Sequence, residues 1–264
     1  GAVPAIQLGH AGRKASVMRP WEGTKPLRLD AGGWPIVGPS PLPFAEGHQT
    51  PKALDDADIA ALLGAVAASV RRARHAGFKI IEFHAAHGYL LHEFLSPLSN
   101  RRSDKYGGSF DNRVRLLLDC LDAVRSEWPA ELPLFVRLSC TDWIEGGWDL
   151  EQSVALAMRL KERGDIDLVD CSSGGIDPRQ KIPFHPGYQV GFAETIKHRT
   201  GMMTGAVGLI HSPEMAEEIL ANGRADLVVL GRALLGDPHW PLKAAASLRT
   251  KVDWPVQYER ANIY

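Results

Sequence analysis

Two imidazoles and a phenol crowd the six residues His84-Ala85-Ala86-His87-Gly88-Tyr89. Imidazole N–H groups can hydrogen-bond a carbonyl oxygen and stabilise negative charge that develops on it. A phenol, with a reference pKa near ~10, suits proton delivery to a strongly basic carbanion or enolate. The competing readings are a metal pair or two structural histidines. A zinc site would want a third ligand and usually a carboxylate partner, and this run offers none in obvious register. Further polar residues stand where barrel strands usually carry aliphatics. Gln7 and His10 open the stretch Gln7-Leu8-Gly9-His10-Ala11-Gly12-Arg13-Lys14, and Arg137 interrupts the apolar run Leu134–Leu138. A guanidinium inside an apolar layer is costly unless an anionic or electron-rich partner meets it. Glu82 or Asp170 would serve as well as a ligand.

Two glycine-bearing segments suggest a phosphate. They are Thr204-Gly205-Ala206-Val207-Gly208 and Gly231-Arg232, each following a β-branched or apolar run. Glycine lets backbone N–H groups approach a phosphate, and an arginine fork can bind it through two bonds. Ser172-Ser173-Gly174-Gly175 lies in a similar position. Gly-rich loops also occur as plain turns, so only their joint placement carries weight. The charged, glycine-rich stretch Asn100–Ser109 reads as an ordered connector and is assigned no chemistry.

Positioning these residues requires elements, and the chain alternates short apolar runs with amphipathic ones, the pattern of βα units around a parallel sheet. Strands are predicted at Val3–Leu8, Phe78–His84, Leu134–Leu138, Asp167–Cys171, Met202–Gly205 and Asp226–Leu230. Helices are predicted at Asp55–His75, Asp111–Glu127, Asp149–Arg163 and, capped by Ser212, from Pro213 to Asn222. The fold class is therefore α/β, a (β/α)8 TIM barrel with about six βα units in this chain. A single domain, 1–264, is expected, with a Gly-, Pro- and Trp-rich hairpin or lid at 16–51. Six strands leave a barrel incomplete, so the chain reads either as a fragment or as one part of a barrel that another chain completes. On this fold the active face is the carboxyl end of the strands, where His84 to Tyr89 and the glycine loops fall.

Composition narrows the function classes. A formal net charge of −1 with no basic tract gives no electrostatic case for nucleic acid. No apolar run approaches the roughly 18 residues of a spanning helix, so no membrane is expected as a partner. Cys120, Cys140 and Cys171 are too few and too scattered for a disulfide framework or a metal cluster, which makes a reducing cytoplasm the expected compartment.

Taken together, four sets of residues resemble the Old Yellow Enzyme family, most closely its thermophilic-like bacterial subgroup. They are Gln7–Lys14, His84–Tyr89, Ser96-Pro97-Leu98-Ser99-Asn100-Arg101-Arg102-Ser103-Asp104-Lys105-Tyr106-Gly107-Gly108-Ser109, and Thr204–Gly208 with Gly231-Arg232 and Val256-Gln257-Tyr258-Glu259-Arg260. The resemblance spans essentially the whole chain and implies an FMN-dependent, NADPH- or NADH-driven ene-reductase acting on small activated alkenes. It implies that His84 and His87 bind the substrate carbonyl and that Tyr89 donates the proton to Cα. It places Gln7 and Arg137 at the isoalloxazine, and Gly205, Gly208, Gly231 and Arg232 at the FMN phosphate. Lys14 falls in the same neighbourhood. Arg260 would reach a neighbouring subunit's substrate site, so a homo-oligomer, dimer or tetramer, is implied. No metal is. The pattern departs from the family at its amino-terminal side, where members carry roughly a hundred more residues before the Gln7 strand and the first two barrel strands.

Two other readings stay open. A dienoyl-CoA-reductase-like flavoenzyme would share these motifs but would add a cysteine-bound iron–sulfur cluster. A non-catalytic or partial subunit would need a partner chain to complete the barrel. A phosphate-binding aldolase or isomerase would want a catalytic lysine or carboxylate at a strand end, and none is well placed.

Overall fold

The computed structural model describes residues 2–261. Its main sheet opens with β1 (Ala5–Leu8), and β2 (Val37–Gly38) and β3 (Lys52–Ala53) form a separate two-stranded pair. Helix α1 (Asp56–His75) leads into β4 (Ile80–Ala85), α2 (Leu90–Leu95) and α3 (Phe110–Arg125). Then follow β5 (Leu134–Ser139), α4 (Leu150–Arg163), β6 (Leu168–Ser172), α5 (Val190–Thr200) and β7 (Met203–Ala206). The last elements are α6 (Pro213–Ala221), β8 (Leu227–Val228), α7 (Arg232–Gly236) and α8 (Trp240–Ser247). The main sheet runs β1-β4-β5-β6-β7-β8, and every pairing in it is parallel. Six strands in chain order, linked by helices, make the expected incomplete α/β barrel. Both β1 and β8 have one unpaired side among the described residues.

Strand β5 shows how the sequence builds this curve. Leu134, Val136 and Leu138 are fully buried against the helical layer, while Phe135 and Arg137 between them face the other way. The buried set joins one apolar cluster with Leu117 and Leu121 of α3, Leu156 and Leu160 of α4 and Ile196 of α5. Each fully buried aliphatic side chain of this kind contributes about 1.5–3 kcal/mol, which is what fastens helices to sheet. The face carrying Arg137 keeps polar groups, and this is where the strand-end chemistry collects.

Helices α1, α3, α4 and α6 start at side-chain caps. Asp55 accepts from the Asp58 amide at 2.8 Å while the Asp58 carboxylate accepts from the Asp55 amide at 3.0 Å, a reciprocal cap on α1. Asp149, Ser212 and Ser109 cap α4, α6 and α3 one way, each side chain accepting from a single backbone amide in the first turn. Boundaries differ from expectation by at most two residues, and β8 loses most, shortening at both ends to Leu227–Val228. Strand β1 starts at Ala5 because Pro4 has no N–H to give, although its carbonyl still accepts from Lys79 at 2.9 Å. Four helices, α2, α5, α7 and α8, were not expected.

Residues 16–51 form an irregular excursion. Met18 N–H donates to Lys25 O and Leu27 N–H to Ser16 O, both at 2.8 Å, around an antiparallel Val17–Pro26 bridge. The connector Asn100–Ser109 is structural: the Asn100 amide donates to Phe94 O and Tyr106 O, both at 2.7 Å, and Arg102 donates to Pro39 O and Leu54 O.

Candidate active site

Strand β4 delivers His84, 5% exposed, to its carboxyl end, and the chain then turns sharply. His87 has φ +59° and Gly88 φ +72°, so a non-glycine residue sits in the left-handed region. Side chains from other elements hold this turn. His87 N–H donates to Ser139 Oγ at 2.8 Å, Lys14 Nζ donates to His87 O at 2.9 Å and to Gly175 O at 3.0 Å, and Gly88 N–H donates to His92 Nδ1 at 2.9 Å. The loop after β6 lies against the same backbone: a Cβ on Gly88 would stand 2.0 Å from Gly175 O.

The turn brings the expected triad together. His84 Nε2 and His87 Nδ1 are 3.3 Å apart, and His87 Nε2 lies 2.6 Å from Ser172 Oγ. The Tyr89 ring meets His84 edge-on with centroids 5.1 Å apart, and Lys14 Nζ lies 5.4 Å from the Tyr89 ring centre. Burial, assisted by the positive Arg137, pushes the His84 pKa down to about 4 and the His87 pKa to about 2. At pH 7 both imidazoles are therefore neutral: they can donate an N–H bond but hold no spare proton to give. Burial also lowers Lys14 to about 8, against the neighbouring Glu93 carboxyl.

Beneath the histidines lies a polar floor on adjacent strands. Gln7 Nε2 donates to Glu82 Oε1 at 2.5 Å. Arg137 Nε lies 3.1 Å from Asp170 Oδ2, yet its N–H is not aligned on either carboxylate oxygen. Charge contact without a directed bond leaves Arg137 Nε and both Asp170 oxygens free to meet another partner. His84 Nδ1 and Thr204 Oγ1 are likewise buried and unpartnered among the described residues. Such groups cost roughly 1–3 kcal/mol each unless something binds them. Burial pushes the Asp170 carboxyl up to about 8, with Arg137 opposing and Glu82 adding to the rise.

A cavity of about 190 Å3 adjoins this floor, lined by Arg137, Tyr188, Gln189, Gly208, Gly231 and Arg232 among others. Two guanidiniums and two glycines around one hollow suit an anion, and a Cβ added at Gly231 would meet no protein atom within 4 Å. These residues fit the phosphate end of FMN, and Arg137, with its unaligned N–H, fits the electron-rich edge of its ring. Gly205 is not brought to this cavity: it packs inside β7, where a Cβ would lie 3.2 Å from Val229 Cγ2. Gln189, 3% exposed, ties the hollow to the histidines. Its Oε1 accepts from Ser173 Oγ at 2.5 Å and from Ser172 Oγ at 3.5 Å, while Nε2 donates to Val207 O at 3.1 Å. A larger cavity, about 600 Å3 between α8 and Tyr258, contains none of this chemistry. Arg260 lies exposed on the 3-10 turn Val256–Ala261, without a hydrogen-bond partner among the described residues.

Residues with no individually expected role are prominent here. Lys14, Ser139, Ser172 and Gln189 hold the loops, and a buried His92–Asp142 pair stands behind them, its Nε2–Oδ1 distance 2.8 Å. Glu93, fully buried, accepts from the Arg13 amide at 2.8 Å, and burial pushes its pKa up to about 8. The Arg13 guanidinium donates to Ile176 O at 2.6 Å, joining the first loop to the one after β6. Ser139 and Asp142, at and just past the carboxyl end of β5, stood in reach of the strand-end rule.

The NADH:flavin oxidoreductase / NADH oxidase family matches residues 1–251. The chain belongs to that family. It is 51% identical to the NADPH dehydrogenase of Bacillus licheniformis over 261 residues, covering 99% of this chain and 71% of that protein. The NADPH dehydrogenase of Geobacillus thermodenitrificans is also 51% identical, with 98% and 71% covered. Among solved structures, morphinone reductase superposes with TM-score 0.73 at 27% identity, over 97% of this chain and 68% of that one. A 2-naphthoyl-CoA reductase superposes with TM-score 0.81 at 28% identity, over 94% of this chain but 38% of that one. The Old Yellow Enzyme resemblance thus holds at family level, and so do the expectations of an oxidoreductase, of FMN and of NAD(P)H.

Proposed function

We propose that the chain carries the substrate half of an FMN-dependent ene-reductase site acting on α,β-unsaturated carbonyl or nitro compounds. The observation that carries this is the neutral His84–His87 pair beside Tyr89, set above the arginine-lined hollow. When bound, FMN would supply the redox chemistry, carrying reducing equivalents from NAD(P)H to the alkene. His84 and His87 bind the carbonyl or nitro oxygen through neutral N–H donors, orienting the alkene and stabilising charge that develops on that oxygen. Because neither imidazole carries a spare proton at pH 7, the proton for Cα comes from Tyr89 Oη. Gln7 and Arg137 orient the ring; Gly208, Gly231 and Arg232 hold the phosphate.

Residues 16–51 act as a lid within a single domain, a role supported by Phe44, whose ring centre lies 4.8 Å from Lys14 Nζ. Arg260 serves a neighbouring copy's substrate site in a homo-oligomer. Free, buried Cys120, Cys140 and Cys171 suit a cytoplasmic setting.

Tyr89→Phe tests the assignment: alkene reduction should be lost while flavin reduction by NADPH continues, and equal loss of both half-reactions would sink it. The unpaired sides of β1 and β8 favour a second reading, in which the site is completed by further strands. Retention of FMN by the isolated chain through desalting would argue against it.

A further inference from the structure

The turn at His87 and Gly88 is not one the chain prefers, because a residue with a Cβ pays to enter the left-handed region. Something must hold it. The Gly88 amide is held by His92 Nδ1 at 2.9 Å, and a ring nitrogen that accepts a hydrogen bond cannot carry a proton. The ring proton is therefore on Nε2, which lies 2.8 Å from Asp142 Oδ1. Asp142 has no freedom to change this. Its other oxygen accepts from Ser96 Oγ at 2.6 Å and from the Trp148 amide at 2.7 Å, and both His92 and Asp142 are wholly excluded from solvent.

We propose that Asp142 locks His92 in its Nε2–H tautomer, and that this lock is what positions the Gly88 turn and hence Tyr89 for proton delivery. His92 and Asp142 are thus positioning residues, acting as a carboxylate acts behind an imidazole in a hydrolytic triad, but upon a backbone amide instead of a nucleophile. The inference rests on Tyr89 as the proton donor.

Substitutions expose the logic. In Asp142→Asn, an amide NH2 turned to His92 would force the ring proton onto Nδ1, opposite the Gly88 N–H, donor against donor. Turned the other way, the NH2 would oppose the Trp148 N–H instead. His92→Gln can accept from Gly88 and donate to Asp142 with one side chain, whereas His92→Leu can do neither.

The first test is nitrogen-15 NMR of the full chain between pH 6 and 8, with the His92 signals identified by their loss in His92→Gln. A protonated Nε2 and bare Nδ1 are expected; a protonated Nδ1 overturns the lock. The second is single-turnover alkene reduction by the FMN-loaded, pre-reduced protein. His92→Leu and Asp142→Asn should slow it by about 100-fold, the scale of an ångström's misplacement, with NADPH-driven flavin reduction kept and most of the rate restored in His92→Gln. In a Tyr89→Phe background the same changes should add nothing. Equal further loss in that background, or no rescue by glutamine, overturns the positioning role. Full alkene reduction by Tyr89→Phe alone would defeat the functional reading and the positioning role together, whereas the tautomer is judged by the spectrum alone.

Discussion

On the proposed function, Gly88→Ala should separate the two half-reactions without removing any catalytic side chain. The added Cβ would stand 2.0 Å from Gly175 O and 2.6 Å from Gly175 C, both backbone atoms, where ordinary contact begins at 3.4 Å. The loops after β4 and β6 must then part by roughly 1.4 Å, since neither contact can be relieved by a rotamer change. The 2.6 Å link from His87 to Ser172 spans the same gap and would break. Displacement on this scale costs about 100-fold in rate when it misaligns reacting groups. Alanine at φ +72° adds roughly 1–2 kcal/mol of backbone cost, or about 2–8 °C in melting temperature for a chain of this size. Stopped-flow measurement on the FMN-loaded protein should show alkene reduction slowed by about two orders of magnitude, with flavin reduction by NADPH within a few-fold of normal. Gly64→Ala, on open helix surface in α1, is the matched control and should change neither rate. Unaltered alkene reduction in a folded Gly88→Ala protein would show that close contact between the loops after β4 and β6 does not set the reacting geometry.

Two further outcomes are expected. Glu93 has its pKa raised from 4.5 to about 8, so between those values the unfolded chain releases a proton that the folded one keeps. Its contribution to stability falls as pH rises through that window, by up to about 1.4 kcal/mol per unit, and Glu93→Gln should flatten the urea midpoint between pH 5 and 8; parallel curves would contradict this. Arg232→Met should weaken FMN by roughly 10–150-fold, the worth of a charge-assisted bond, while leaving riboflavin, which lacks the phosphate, unaffected; equal weakening of both flavins would remove Arg232 from the phosphate site.

What could be read from the sequence was local. Asp55, Asp149 and Ser212 mark their helices because acidic first residues and a capping serine act within about three residues, and His84, His87 and Tyr89 mark a site because they share one turn. Helix α2 was hidden because all six of its residues are buried, His92 and Glu93 included, so no polar face marks a helical period. The pairs that rigidify the site are far apart in the chain. Lys14 reaches His87 across 73 positions and His92 reaches Asp142 across 50, and no local pattern links such residues. Arg137 illustrates the remaining ambiguity: it does approach Asp170, as a structural reading of the strand allowed, but without the aligned bond that would satisfy it.

Gln189 has a consequence for how such a protein can change. Its amide answers to the serines behind His87 at one end and to the wall of the anion hollow at the other. On the proposed function, mutations around the histidines and mutations in the anion hollow therefore share an intermediary, and their effects should be epistatic. Segment exchange with a relative would have to carry Ser172, Ser173, Gln189 and the Val207 loop as one block.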